Sequence, residues 1–296
     1  MPRAHPVATV DIAAIPPLPG WITAQPSETL ETAAFRSGAV LAHLHGVTLQ
    51  AAVPQALLRE RLALAAADVC AGIEGWRKGQ AVLRDAAHLT RPGDHPGPAG
   101  LILRLWSQAV ARPIAVGHLG KVLEGLTPDR IALCLDSMGG SPVDRAARVI
   151  EAVLTEAPRA ETAALILADA VLSKVMGRDH LLPLLAVSVK PRDLRLRGDD
   201  LRLACHRAVV AGAGQAVPLA SALARAAARL QAVVPKLRAR GATRAIEMFL
   251  SRDALAPGAL AAFMSDRAAR RLCDRLVDLG VVRELTGRDT FRLYGV

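Results

Sequence analysis

Ser265-Asp266-Arg267-Ala268-Ala269-Arg270-Arg271-Leu272-Cys273-Asp274-Arg275-Leu276-Val277-Asp278-Leu279-Gly280 decides how the end of this chain folds. Ser265 is a preferred helix N-cap and Gly280 stands where a left-handed helix stop belongs. On a wheel of about 3.6 residues per turn, Ala269, Leu272, Cys273, Leu276 and Leu279 share one face. Arg267, Arg271, Asp274 and Asp278 centre the opposite face, flanked by Arg270 and Arg275. The next residues, 281–285 and 290–294, flank Thr286-Gly287-Arg288-Asp289, which predicts a two-stranded hairpin. Its alternation places Phe291, Leu293 and Val282 on an apolar side and Arg283 and Arg292 on a cationic one. Upstream, 243–251 and 257–263 read as two shorter helices. Three helices followed by a hairpin is the order of a winged helix-turn-helix.

A helix that enters the major groove carries long cationic side chains near its N-terminal end, where phosphates and base edges are met. Arg267, Arg270 and Arg271 stand there, Arg275 follows, and Arg288 and Arg292 belong to the wing. These six are the candidate DNA-binding residues, and double-stranded DNA is the expected partner. Asp274 and Asp278 on the same helix oppose that reading. The rival reading is a scaffold whose winged helix packs on a protein or forms a homodimer.

The charge distribution sharpens the first reading. The chain carries a net charge of +10. Residues 1–189 hold 17 Lys/Arg and 17 Asp/Glu, whereas 190–296 hold 20 and 10. Most of the surplus lies ahead of the terminal helix: residues 190–240 contain 11 Lys/Arg against 3 Asp/Glu. A neutral body with a basic last third fits a polyanion partner, or a solubilising surface. The cationic footprint is therefore expected to extend to preceding helices, including Arg225 and Arg229.

Hydrophobic residues make up 52% of the 296 and aromatics only 3%, with Ala and Leu dominant, so the body is expected to be all-helical. The predicted organisation is a flexible N-terminal arm over 1–29, an all-helical domain over 30–235 and the winged helix over 236–296. Ser27 with Glu28 and Glu31 reads as the first helix start, with a stop at Gly46. Three prolines and three glycines within 91–100 predict an irregular loop. Ser141-Pro142-Val143-Asp144 and Thr127-Pro128-Asp129 read as helix caps, 161–176 as a buried central helix, and Pro183 as the first turn of a short one. Residues 199–212 and 218–234 read as separate helices, broken at Gly212-Ala213-Gly214. No run of about 18 uncharged apolar residues occurs, so no membrane span is expected. Cys70, Cys134, Cys205 and Cys273 are widely spaced, which argues against zinc or disulfides and fits a reducing cytoplasm.

No catalytic signature, cofactor motif or metal-ligand spacing stands out. His43 and His45 project from opposite sides of a helix, and Cys205-His206 has only Asp199 and Asp200 as nearby acids. The enzyme alternative rests on Asp85, His88, Asp94 and His95 around the proline-rich loop, an acid/base or metal site if they converge and a rigid connector if they do not.

Two stretches carry a resemblance: Leu83-Arg84-Asp85-Ala86-Ala87-His88-Leu89 continuing through Arg91-Pro92-Gly93-Asp94-His95-Pro96-Gly97-Pro98-Ala99-Gly100, and Met264-Ser265-Asp266-Arg267-Ala268-Ala269-Arg270 continuing to Phe291-Arg292-Leu293-Tyr294-Gly295. They resemble the bacterial family known as domain of unknown function 1403, from about Ala34 to the end. That family implies no activity. The terminal segment also resembles winged-helix tails of some bacterial Fic-type proteins, but the Fic His-Pro-Phe motif is absent.

Overall fold

The computed structural model describes residues 15–23, 29–76, 79–88, 90, 94–136, 139–288 and 290–296. It is mainly helical. The body runs α1 (Gly20–Thr23), α2 (Leu30–Thr48), α3 (Gln55–Ile73), α4 (Gln80–His88), α5 (Gly97–Ala111), α6 (Val116–Val122), α7 (Pro128–Leu135), α8 (Pro142–Glu156), α9 (Glu161–Val175) and α10 (Gly198–Ala232). The C-terminal unit adds α11 (Ala242–Phe249), a 3-10 turn Pro257–Leu260, α12 (Asp266–Asp278), β1 (Arg283–Glu284) and β2 (Tyr294–Gly295).

Local sequence signals set several of these starts. Ser141 and Asp144 form a reciprocal capping box at α8, and the Thr127 hydroxyl accepts from Arg130 N–H at α7. Pro128 and Pro142 stand in first turns, where a missing N–H has no helical partner to lose. Two expected starts moved. Thr29 caps α2 through the Thr32 N–H, while Ser27 and Glu28 lie outside the described residues; Gly46 continues the helix instead of ending it. The loop expected over 91–100 ends early, because Gly97-Pro98-Ala99-Gly100 form the first turn of α5, where proline is tolerated.

The body core surrounds α9, whose eleven buried residues include Leu165, Ile166, Leu167 and Val171. The long helix α10 packs against α2, α8 and α3. Its segment 198–236 is long and apolar enough to cross a membrane by length and composition, yet here it serves as a core helix. The break expected at Gly212 is absent, and α10 runs through Gly212, Gly214 and Pro218. Tertiary contact explains the first glycine: a Cβ on Gly212 would sit inside contact distance of the Leu184 carbonyl oxygen, 3.0 Å from its carbon and 3.1 Å from Val187 Cγ2. Pro183 does not start a helix. Residues 184–187 form a tight turn instead, held by the Asp169 carboxylate of α9, which accepts from the N–H groups of Leu184, Leu185 and Ala186 at 3.0, 2.9 and 3.1 Å.

This packing separates two glycines in one helix. Gly212→Ala is expected to destabilise by about 1–3 kcal/mol through overpacking. Gly214→Ala, with nothing within 4 Å of the new Cβ, is expected to be neutral or to stabilise by up to about 1 kcal/mol. Urea unfolding midpoints of the two variants check the contrast.

The arm expected to be flexible is docked over its described part. Ile15 and Ile22 are buried, the Ile22 carbonyl accepts from Arg36 at 2.7 Å, and Trp21 stacks on Phe35. Scattered apolar residues without periodicity were enough to seat it.

A second hydrophobic core belongs to the C-terminal unit. It joins Ile246, Phe249, Leu260, Leu272, Cys273, Leu276 and Tyr294 with Leu230 and Val233 at the end of α10. The division between cores therefore falls inside the last turns of α10, ahead of residue 236. Within the unit, β1 and β2 pair antiparallel, Arg283 opposite Gly295 and Glu284 opposite Tyr294. Leu255, which lies between α11 and the 3-10 turn, pairs with Tyr294 on the other edge through hydrogen bonds of 2.8 and 2.9 Å.

Candidate nucleic-acid interface

Ser265 caps α12 by accepting from Ala268 N–H, and Gly280 (φ 67°) closes it in the left-handed region. Ala269, Leu272, Cys273 and Leu276 face the second core. Arg267, Arg270, Arg271 and Arg275 are exposed. Three of them, Arg267, Arg271 and Arg275, line a concave surface of about 650 Å³ together with Lys236 and Arg238 from the connector after α10. None of these five cations has an ion-pair partner among the described residues. The acids Asp274 and Asp278 do not line this surface. Asp274 instead lies 3.4 Å from the Tyr294 hydroxyl, linking α12 to β2.

The remaining expected contacts are committed within the chain. Arg270 pairs with Asp266 one turn away at 3.0 Å, with both side chains largely exposed. Arg288 pairs with Asp85 on α4, so the ribbon tip faces the body. Arg292 donates to the Arg288 carbonyl at 2.9 Å. Residues 285–288 and 290–293 are irregular, and Phe291, expected on the apolar face, is 75% exposed with φ 57°. Val282 and Leu293 are buried as expected, and Tyr294 is buried with them. Arg225 and Arg229 are exposed on α10, as a longer cationic surface requires, although Arg225 also donates to Ser221 Oγ.

A second concavity, of about 770 Å³, lies between the body and the C-terminal unit, walled by α3, α4, α5 and residues 251–254. It divides the residues of the enzyme alternative. His88 and Asp94 line it; Asp85 is taken by Arg288, and His95 Nδ1 accepts from Gly97 N–H at 3.0 Å. Among the described residues no three His, Cys, Asp or Glu side chains gather as metal ligands. Glu60 lies in this groove with its carboxyl raised to about 7 by burial and by the neighbouring Asp253, against the opposing pull of Ser107, Arg252 and Arg59.

One arrangement was invisible in the sequence. Ser37 Oγ of α2 lies 2.7 Å from His206 Nδ1, and His206 Nε2 lies 3.4 Å from Asp144. Those are the atom types of a nucleophilic relay, but Ser37 is 1% exposed in mid-helix, out of reach of a substrate. Burial keeps the His206 pKa below its usual value despite Asp144. Burial also pushes Asp144 upward, but hydrogen bonds from Arg202 and Ser141 prevail and hold it at about 2. The three residues tie α2, α8 and α10 together. Cys205 beside them is buried, its thiol pushed up to about 12, which leaves no thiolate at neutral pH.

The family described as "Protein of unknown function (DUF1403)" matches residues 7–296. The chain belongs to this family. No curated protein matches it. The match spans both hydrophobic cores, so the body and the basic terminal unit both lie within the matched region.

Proposed function

We propose that residues 236–296 form a winged helix-turn-helix that binds double-stranded DNA, with α12 as the recognition helix and the helical body as a regulatory platform. The order of elements supports the fold: α11, the Leu255 rung, the 3-10 turn, α12, then β1 and β2, with Leu255 and β1 on opposite edges of β2. The observation that carries the function is the open groove of Lys236, Arg238, Arg267, Arg271 and Arg275. Unpaired cations on a concave surface attract a polyanion, and neutralising phosphates releases counterions. A scaffold role would favour a buried or neutralised α12, whereas its polar face is exposed. Four buried free cysteines agree with a cytoplasmic setting.

The contact set narrows accordingly. Arg267, Arg271 and Arg275 dock on DNA with Lys236 and Arg238; Arg270 joins by leaving a weak exposed pair. Arg288 and Arg292 contact DNA only if the ribbon leaves the body. Fluorescence anisotropy with duplex DNA across a salt series tests this reading. Binding is expected to weaken as salt rises, by about 0.9 log units of affinity per log unit of salt for each phosphate contact. Substituting Arg267, Arg271 and Arg275 together by alanine should lower the salt slope by about 3. Undiminished binding in that variant, or no binding by the intact chain at low salt, refutes the proposal.

A further inference from the structure

We infer that the groove between the helical body and the C-terminal unit is a binding site for a small molecule bearing an oxyanion, either a carboxylate or a phosphate. At about 770 Å³ it falls within the range of small-molecule sites, roughly 300–1,000 Å³. Its walls come from both cores: Arg59 and Glu60 from α3, Arg104 and Ser107 from α5, and Arg252 from the segment after α11. Seams between packed units are commonly polar, but this one is also concave and gathers cations around a carboxyl and a hydroxyl.

The charges in the groove do not cancel. Asp253 is already held by Arg61 and Arg84. Arg59 donates one of its N–H groups to the Val110 carbonyl at 3.2 Å, which leaves others of its five donors to face the groove. Arg104 and Arg252 are exposed and have no ion-pair partner among the described residues. These three guanidiniums outnumber Glu60 and Asp94, so the groove favours an anion. Planar guanidinium forks match carboxylate and phosphate oxygens in geometry as well as sign.

Glu60 supplies the second recognition element. Its carboxyl lies 3.4 Å from Ser107 Oγ. With a pKa near 7 it is present in both protonated and ionised forms at neutral pH, able to donate to or accept from a ligand hydroxyl or amine. A carboxyl perturbed by burial and a charged neighbour inside a cleft marks a functional site more often than an ordinary surface. The preferred ligand is therefore an oxyanion with a polar group a few ångströms away.

Isothermal titration calorimetry of the full chain, with inorganic phosphate in one arm and citrate in the other, tests the site without involving DNA. Its outcome is thus separable from that of the DNA-binding proposal. Saturable binding in the millimolar range by either anion is expected, and the arm that saturates identifies the oxyanion. R104A and R252A should each weaken it about tenfold, the loss of one charge-assisted hydrogen bond. Both side chains are solvent-exposed, so folding should survive, as circular dichroism would verify. Arg159, an exposed arginine that does not line the groove, supplies the control, and R159A should bind like the wild type. No saturation with either anion, unchanged binding in the R104A/R252A double variant, or equal weakening in R159A would overturn the assignment.

Discussion

Replacing Asp169 by alanine is expected to lower the unfolding free energy by about 3–5 kcal/mol, the range of mutations that orphan buried polar groups. Asp169 is fully buried on the central helix α9. One carboxylate oxygen accepts from Leu184 and Leu185 N–H and the other from Ala186 N–H. Burial raises the carboxyl to about 7 while the three donors act against the rise. Truncation leaves three buried N–H groups without acceptors, each lost bond costing about 1–3 kcal/mol before relaxation. The damage spreads because the Leu184 carbonyl of this turn abuts Gly212 on α10. Asp169→Asn separates the contributions. Its single carbonyl oxygen retains two donors, but its amide group meets the Ala186 N–H, so the loss should be smaller than for alanine. Urea denaturation of both variants decides: equal small losses, under about 1 kcal/mol, would show that the turn holds without its acceptor.

What could be read in advance follows from which forces were local. The face of α12, its Ser265 cap and its Gly280 stop are one-helix properties, and the wheel placed Ala269, Leu272, Cys273 and Leu276 correctly. Capping at Ser141 and Thr127 was legible for the same reason. The failures share a different cause. Gly212 and Pro218 look like breaks because their penalties are local, whereas the close approach of the 184–187 turn and the length of α10 are tertiary. Phe291 alternates correctly for a strand, but a positive φ at that residue turns its ring outward. The candidate site was half legible. Arg267, Arg271 and Arg275 were marked by spacing, and the charge count pointed to residues before α12. That Lys236 and Arg238 complete the groove, and that Arg288 faces Asp85 from 203 residues away, are long-range pairings with no sequence period to announce them.

The same long-range chemistry governs the second large effect, at Asp253. Its carboxylate joins the C-terminal unit to two body helices, with Arg61 of α3 at 2.9 Å and Arg84 of α4 in a two-pronged contact at 2.5 and 3.1 Å. The three side chains are only 9–16% exposed. Asp253→Ala leaves two guanidiniums half-desolvated without their counter-charge, and breaking a buried pair in this way costs about 3–5 kcal/mol. The neighbouring Arg288–Asp85 pair is far more exposed, and Asp85→Asn should cost no more than about 1 kcal/mol. Because the terminal unit has its own hydrophobic core, loss of the inner clasp should uncouple it before it unfolds. Hydrogen exchange should therefore show residues 242–296 opening more readily, relative to α9, in Asp253→Ala than in the intact chain. If Asp253→Ala and Asp85→Asn have equally small effects, apolar contact rather than charge holds the unit to the body. If Asp253→Ala frees the unit without lowering DNA affinity, the clasp is structural; a gain in affinity, with Arg288 released from Asp85, would make the clasp a restraint on the ribbon.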